Sequence, residues 1–536
     1  MSRLRRLRRS WPVLAIAVVA GLVYAAWPGR STFTVGPETT YATGPVDPEG
    51  FVDYPAALNE RLAEGVTPET NANVLIVRAL GPHPEGGTMP PEYYQRLEID
   101  PPPEQGDYFL GFDKYYQAHL KGRRPEEPGG DWFTEFFGPE GEEIVVETDT
   151  QQRWQVRVDR YRQWPWTAKD QPEIADWLKQ NEKPLAVLVE ASKRSRYYNP
   201  LVARNADPHS ARILNSLLPT VQRCREVARA LACRAMLRLG EGDADAAWQD
   251  LLACHRLGHL LGRGGSLIEG LVGVAIVQIA ANGELALVSQ GRPSAKQALA
   301  WRDDLGRVPP MTTVADKMDL SERFMLLDIL NGIAYHGPEF LGDVDQDGPP
   351  GARSSSNPFR GRLFRPSIDL DPAFRNVNRM FDRCAAAGRL PDRAARQAEY
   401  SKFEHDIRQL KLSLSQMGLL ERAAWGKAER GEMVGNVVMT HLVPAFGKIQ
   451  DAADRADQIE RNLHVALALA AYRADAGRYP ARLAELAPKY LPEVPGDLFS
   501  GGPLVWRPEG DGYLLYSVGV NGLDEDGRWT DDDPKG

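Results

Sequence analysis

Residues 237–257 read LRLGEGDADAAWQDLLACHRL, and this stretch decides the fold class. Gly240-Glu241-Gly242 interrupts a run, 211–239, in which apolar residues recur every three or four positions. Asp243 then stands where a helix N-cap belongs, with a carboxylate that can take an orphan amide of the next turn. Beyond it Ala247, Leu251, Cys254, Leu257 and Leu261 keep a helical stripe. Two helices joined by a tight glycine turn make an αα-hairpin. Similar periodicity at 266–289, 294–305, 311–334 and, with interruptions, 369–476 extends the pattern, so the expected fold is mainly α, built of repeat-like helical hairpins.

The same stretch resembles one tetratricopeptide repeat, with Gly242 at the turn, Ala247 and Leu251 on the second helix and Cys254 in a small-residue slot. No clean second copy follows. The run 267–281 (LIEGLVGVAIVQIAA) is apolar but short and holds Glu269 and Gln278, which marks a helix buried in protein, not lipid.

Working outward to the N-terminus, Arg3, Arg5, Arg6, Arg8 and Arg9 precede WPVLAIAVVAGLVYAAW, residues 11–27. As a helix this uncharged run is about 26 Å long, against a hydrocarbon core of about 30 Å. The arginines would hold their end in the cytoplasm, with Trp11 and Trp27 at the interfaces. A single transmembrane anchor of a bacterial inner-membrane protein, with its body in the periplasm, is the expectation. A signal peptide cleaved near Val23-Tyr24-Ala25 is the alternative.

The segments expected after residues 1–30 (basic tail and anchor) are a Pro- and Gly-rich stalk, 31–50, an irregular N-terminal region, 51–200, and a helical-hairpin domain, 201–335. A long loop, 336–367, more helices, 368–457, and a C-terminal module, 458–536, complete the chain. Within 51–200, residues 172–192 read as one amphipathic helix or two broken near Pro184. Alternation over 144–158 suggests a short hairpin.

The module 459–533 holds a helix ending at Arg473-Ala474-Asp475-Ala476-Gly477, then Arg478-Tyr479-Pro480 opening a short helical stretch. Strands at 504–507 and 513–518 and an acidic loop follow. In this order the segment resembles the globular end of the major pseudopilins of type II secretion systems. The resemblance implies a small α+β module. It does not imply a filament subunit, because residues 8–10 are Arg-Arg-Ser, unlike a prepilin-peptidase site, and the anchor holds no glutamate. In that family the acidic loop binds Ca²⁺. The matching residues here are Asp524, Asp526, Asp531, Asp532 and Asp533, with Glu525 beside them, and their hard oxygens suit that ion. A solvated acidic tail is the bland reading.

Other candidates are sparser. His255 and His259 lie at i, i+4 beside Cys254, a spacing that can present two ligands. Arg256-Leu257-Gly258 between them lacks the glutamate of HExxH, and packed or surface histidines are the expectation. The run 343–348 (DVDQDG) matches half an EF-hand loop, but position 354 is Ser where a glutamate should stand. Cys224, Cys233, Cys254 and Cys384 fit no zinc pattern and read as buried small hydrophobes, with one bridge among the first three as the alternative. No Walker loop, nucleophile elbow or dinucleotide fingerprint is present.

The formal charge of −9 includes five N-terminal arginines, so the body is more acidic still and gives no electrostatic reason to bind nucleic acid. The layout resembles that of large envelope proteins of some bacteria. The expected function is a non-catalytic, membrane-anchored scaffold or adaptor for a protein partner in the envelope. The alternatives are an accessory of a secretion or pilus-like machine, docking through its C-terminal module, and an enzyme of a family these motifs do not reveal.

Overall fold

The computed structural model describes residues 31–84, 87–122, 150–203, 212–337, 340, 367–416, 425–442, 446–510 and 512–527. The 11–27 anchor, the 343–348 motif and Asp531–Asp533 lie outside them. The described chain is mainly helical, with only short strands. It divides into two compact units, each discontinuous in sequence. One comprises Leu62–Pro200, Leu218–Val314 and Lys448–Gly536, and the other Met1–Arg61, Leu201–Leu217 and Ala315–Gly447. The segment boundaries expected above are therefore not those of the units, because chain neighbours are shared between two cores.

The first unit is organised by the hairpin α1 (Val221–Gly240) and α2 (Ala244–Gly262). Gly242 makes the turn at φ +88°, and Asp243 Oδ1 accepts the amide of Ala246. The stripe Ala247, Leu251, Cys254, Leu257 and Leu261 is at most 1% exposed. Truncating Leu251 to alanine would cost about 2–5 kcal/mol.

Next comes α3 (Leu267–Gly291), which opens with a capping box between Ser266 and Glu269. It is the one described helix long and apolar enough to cross a membrane by length and composition. Here Val272, Ile276, Val277, Ala280 and Leu287 are buried instead. Glycines set its approach to α2: a Cβ on Gly273 would meet Gly258 O at 2.6 Å, and one on Gly258 would meet Val277 Cγ2 at 2.8 Å. Helix α4 (Ala295–Gly306) follows, and its Trp301 stacks on Trp248 with centroids 5.2 Å apart.

Two local expectations change in this unit. The described part of the expected 144–158 hairpin is helical, Thr150–Tyr161, because Trp154 and Val158, four apart, are both buried on one face. The break in 172–192 falls at Asn181, whose side chain accepts the Leu110 amide and donates to its carbonyl. Pro184 sits in the first turn of the next helix, where a missing amide costs no bond.

In the second unit α5 (Arg323–His336), α6 (Asp371–Gly388) and α7 (Lys427–Leu442) pack together. Gly435 allows contact with α6, since a Cβ there would lie 2.7 Å from Ala373 Cα. β1 (Val202–Ala203) and β2 (Ser216–Leu217) form an antiparallel pair. The 31–50 stretch, expected as a stalk, is part of this unit. Thr39, Thr40 and Ala42 are buried, and Thr32 exchanges backbone bonds with Ile368 and Leu370. Its prolines and glycines shape a packed turn, not a spacer.

Arg323 is fully buried here. Its Nη2 reaches Asp319 at 2.6 Å and Asp382 at 2.7 Å, Nη1 donates to Asn378 O, and Nε donates to Asp319 O. Its guanidinium also lies 4.2 Å from the centroid of the Tyr41 ring.

The chain ends with α8 (Phe446–Ala476), whose residues from Lys448 onward belong to the hairpin unit. Gly477 stops it at φ +72°. A short 3-10 turn, Leu483–Leu486, precedes the antiparallel hairpin of β3 (Val505–Glu509) and β4 (Gly512–Tyr516). Val465, Leu469, Leu486 and Leu504 bury against Ala298 of α4. The nearly buried Asp497 ties this end together by accepting from Ser517 Oγ and the amides of Phe499 and Val518.

Candidate functional site

Three helices of the hairpin unit bring ionisable groups to one point. Helix α2 supplies His255 and His259, 2% and 6% exposed, their rings stacked at 5.0 Å. The i, i+4 spacing puts both on the same side, one turn apart. From α8 comes Glu460, whose Oε1 lies 2.5 Å from His259 Nε2 and 3.4 Å from His255 Nε2. The fully buried Glu284 of α3 places Oε2 3.3 Å from His255 Nδ1, while His259 Nδ1 lies 3.0 Å from the carbonyl of Pro309.

Each imidazole is thus held at Nδ1 by an oxygen, and both Nε2 atoms converge on one carboxylate oxygen. His255, His259 and Glu460 offer donor atoms that all lie within 4.8 Å of one another.

Electrostatics follow from burial. Taking His255 out of water would lower its pKa, but the Glu284 charge and the bonds to Glu284 and Glu460 raise it to about 10. Burial would raise Glu460, yet its bonds with the two histidines hold it far below the ordinary range. One turn further along α8, burial pushes His464 down. Glu284 Oε1 has no hydrogen-bond partner among the described residues. The buried Glu284 and the partly covered Glu460 together call for about two positive charges, which either imidazolium protons or one divalent cation can supply.

Cys254 takes no part. Its thiol contacts the carbonyls of Ala228 and Ile276, and burial raises it well above the usual thiol range. All four cysteines are free and buried.

The expected calcium ligands are not assembled around one point by the residues described. Asp524 Oδ1 accepts from Tyr516 and from the Asp526 amide, while Asp526 pairs with Arg507 at 3.2 Å. Both sit on an exposed loop.

Sequence reading singled out the two histidines and missed both glutamates, which stand 29 and 201 positions away from their partners. A charged residue inside the apolar α3 was the one available signal for Glu284. Comparison of the chain with protein-family profiles, with curated proteins and with solved structures returned no match.

Proposed function

We propose that this chain binds one divalent transition metal, with zinc the best fit, at His255, His259 and Glu460. One observation carries the reading: both Nε2 atoms face a shared carboxylate oxygen while both Nδ1 atoms are engaged by acceptors. Metal-bound histidines are held in this manner, because the acceptor fixes the tautomer and frees the other nitrogen. Imidazole and carboxylate are ordinary zinc ligands at about 2.0–2.2 Å. A modest withdrawal of Glu460 would make room for the ion, whose charge would replace that of the protons on Nε2.

Around this centre we place the role suggested by the sequence. The chain would be a single-pass envelope protein, anchored through residues 11–27, whose helical body serves as a non-catalytic scaffold for another protein. The metal would tie α2 to α8 within that body. The order helix, 3-10 turn and two strands in the C-terminal segment supports the alternative of docking to a secretion or pilus-like machine.

The test is elemental analysis and calorimetric zinc titration of the detergent-solubilised full chain. One equivalent of zinc, lost in a His255→Ala/His259→Ala double variant that keeps its helical circular dichroism, is the expected result. Absence of binding in the parent chain, or binding retained by the double variant, would overturn the reading.

A further inference from the structure

We infer that one face of the second unit, built around Phe33, Val35, Phe51 and Tyr335, rests on the bilayer surface as a shallow lipid contact. This rests on the proposed anchor at residues 11–27 and extends it from a tether to a docked face.

The tether is short. The apolar run ends at Trp27, and Thr32 is already fixed in the fold: its amide donates to the Ile368 carbonyl and its own carbonyl accepts the Leu370 amide. The five residue steps between them span about 18 Å at most when fully extended. The stretch 31–50 adds no slack, since Thr39, Thr40 and Ala42 are buried within the unit. With Trp27 at the interface, the surface around Thr32 is held within that reach of the headgroups.

That surface is apolar and aromatic. The Phe33 ring lies 5.3 Å from Phe51 and 5.1 Å from the buried Phe374 of α6, and Phe51 lies 5.9 Å from Tyr335 at the end of α5. Phe33 and Phe51 are only partly covered, and Tyr335 is 49% exposed. Val35, two residues along from Phe33, is 37% exposed. Rings with one apolar side and one wet edge suit the boundary between headgroups and acyl chains.

Charge sets the depth. Glu38 and Glu49 on the neighbouring turns and Arg375 beside Phe374 are exposed. Ionised groups stay among the headgroups, so the rings enter by about 5–10 Å and the unit lies on the bilayer instead of in it.

Spin labels report on this directly. The full chain is reconstituted in phosphatidylcholine nanodiscs with a nitroxide on Val35→Cys or, separately, on Tyr335→Cys. The four native cysteines are buried, so the parent chain serves as the blank. Helical circular dichroism equal to the parent's qualifies each variant. Paramagnetic resonance power saturation then reads the collisions of each label with oxygen and with an aqueous nickel chelate. At both positions collisions with the chelate should be lost while oxygen, which concentrates among acyl chains, still reaches the label. Labels open to the chelate, in a chain that resists alkaline extraction, would overturn the contact and leave the anchor standing. Labels closed to both reagents would put protein on this face, from a second copy or from residues 341–366, and overturn the lipid assignment. Release of the chain by alkaline carbonate would overturn the anchor, and the inference with it.

Discussion

Arg323 in one unit and the His255–His259 pair in the other both bury positive charge beside carboxylates, and the chemistry of the two cations makes the clusters different objects. A guanidinium keeps its proton at any ordinary pH and cannot ligate a metal. All the N–H groups of Arg323 are directed at Asp319, Asp382 and Asn378, so its cluster is closed. An imidazolium can surrender a proton and offer the same nitrogen to an ion. The histidine cluster is therefore exchangeable, and among the described residues nothing hydrogen-bonds Glu284 Oε1.

The largest expected effect breaks the closed cluster. Arg323→Met removes the donors to Asn378 and Asp382 and leaves Asp319 with Arg389 as its ion-pair partner, and should cost about 2–3 kcal/mol in denaturant unfolding. Hydrogen exchange should locate the loss in α5 and α6. A cost below about 1 kcal/mol would mean the guanidinium is not the keystone of that unit.

Next, Glu284→Gln should lower zinc affinity 10–100-fold by calorimetry, with the fold kept, because His255 loses the carboxylate that orients it. Unchanged affinity would leave Glu284 without a role at the site.

The clusters should also part company with pH. His255 is raised from 6.5 to about 10 in the folded chain, so its contribution is complete below 6.5 and is lost as pH climbs through 10. Glu460 is depressed from 4.5, so its contribution is complete above 4.5 and fades as pH falls below it. Chelated protein should thus protect α2 and α8 best between about pH 4.5 and 6.5. Hydrogen exchange at pH 6 and pH 9.5 checks this, and equal protection of α2 at both would refute it.

A smaller effect sharpens the contrast within the Arg323 unit. Burial, aided by Asp53, raises the Asp328 carboxyl to about 7 against the bond it accepts from the Ile213 amide. The folded state then binds the extra proton, so stability falls as pH rises from about 4 to 7. Asp328→Asn should raise the melting temperature at pH 8 and leave it nearly unchanged at pH 4.

Smallest of all, Asp526→Asn removes an exposed pair with Arg507 and should leave the melting temperature unchanged. If millimolar calcium raised the melting temperature of the parent chain and not of this variant, the acidic loop would be a calcium site after all.

Much of the helical unit was legible in the sequence. The α2 stripe and the Asp243 cap could be read because periodicity and capping are local properties. Residues 150–161 could not, because RWQVRVD alternates as a strand would while also setting Trp154 and Val158 four apart. The prolines of 31–50 were read as spacing because a packed turn and a stalk share a composition, and only contacts with 368–370 and Asn378 distinguish them. At the site, the i, i+4 histidines were visible and their meaning was not. The carboxylates that define the cluster come from other helices, and no spacing rule connects Glu460 to residue 259.

Gly258 and Gly273 acquire a further meaning from that arrangement. They let the backbones of α2 and α3 touch, and Gly258 lies between the two histidines. Coordination tolerates errors of a few tenths of an ångström. A single methyl at either position would force α2 and α3 apart by more than that, without altering one candidate ligand. The two glycines act as gauge blocks: they set the distance at which Glu284 holds His255.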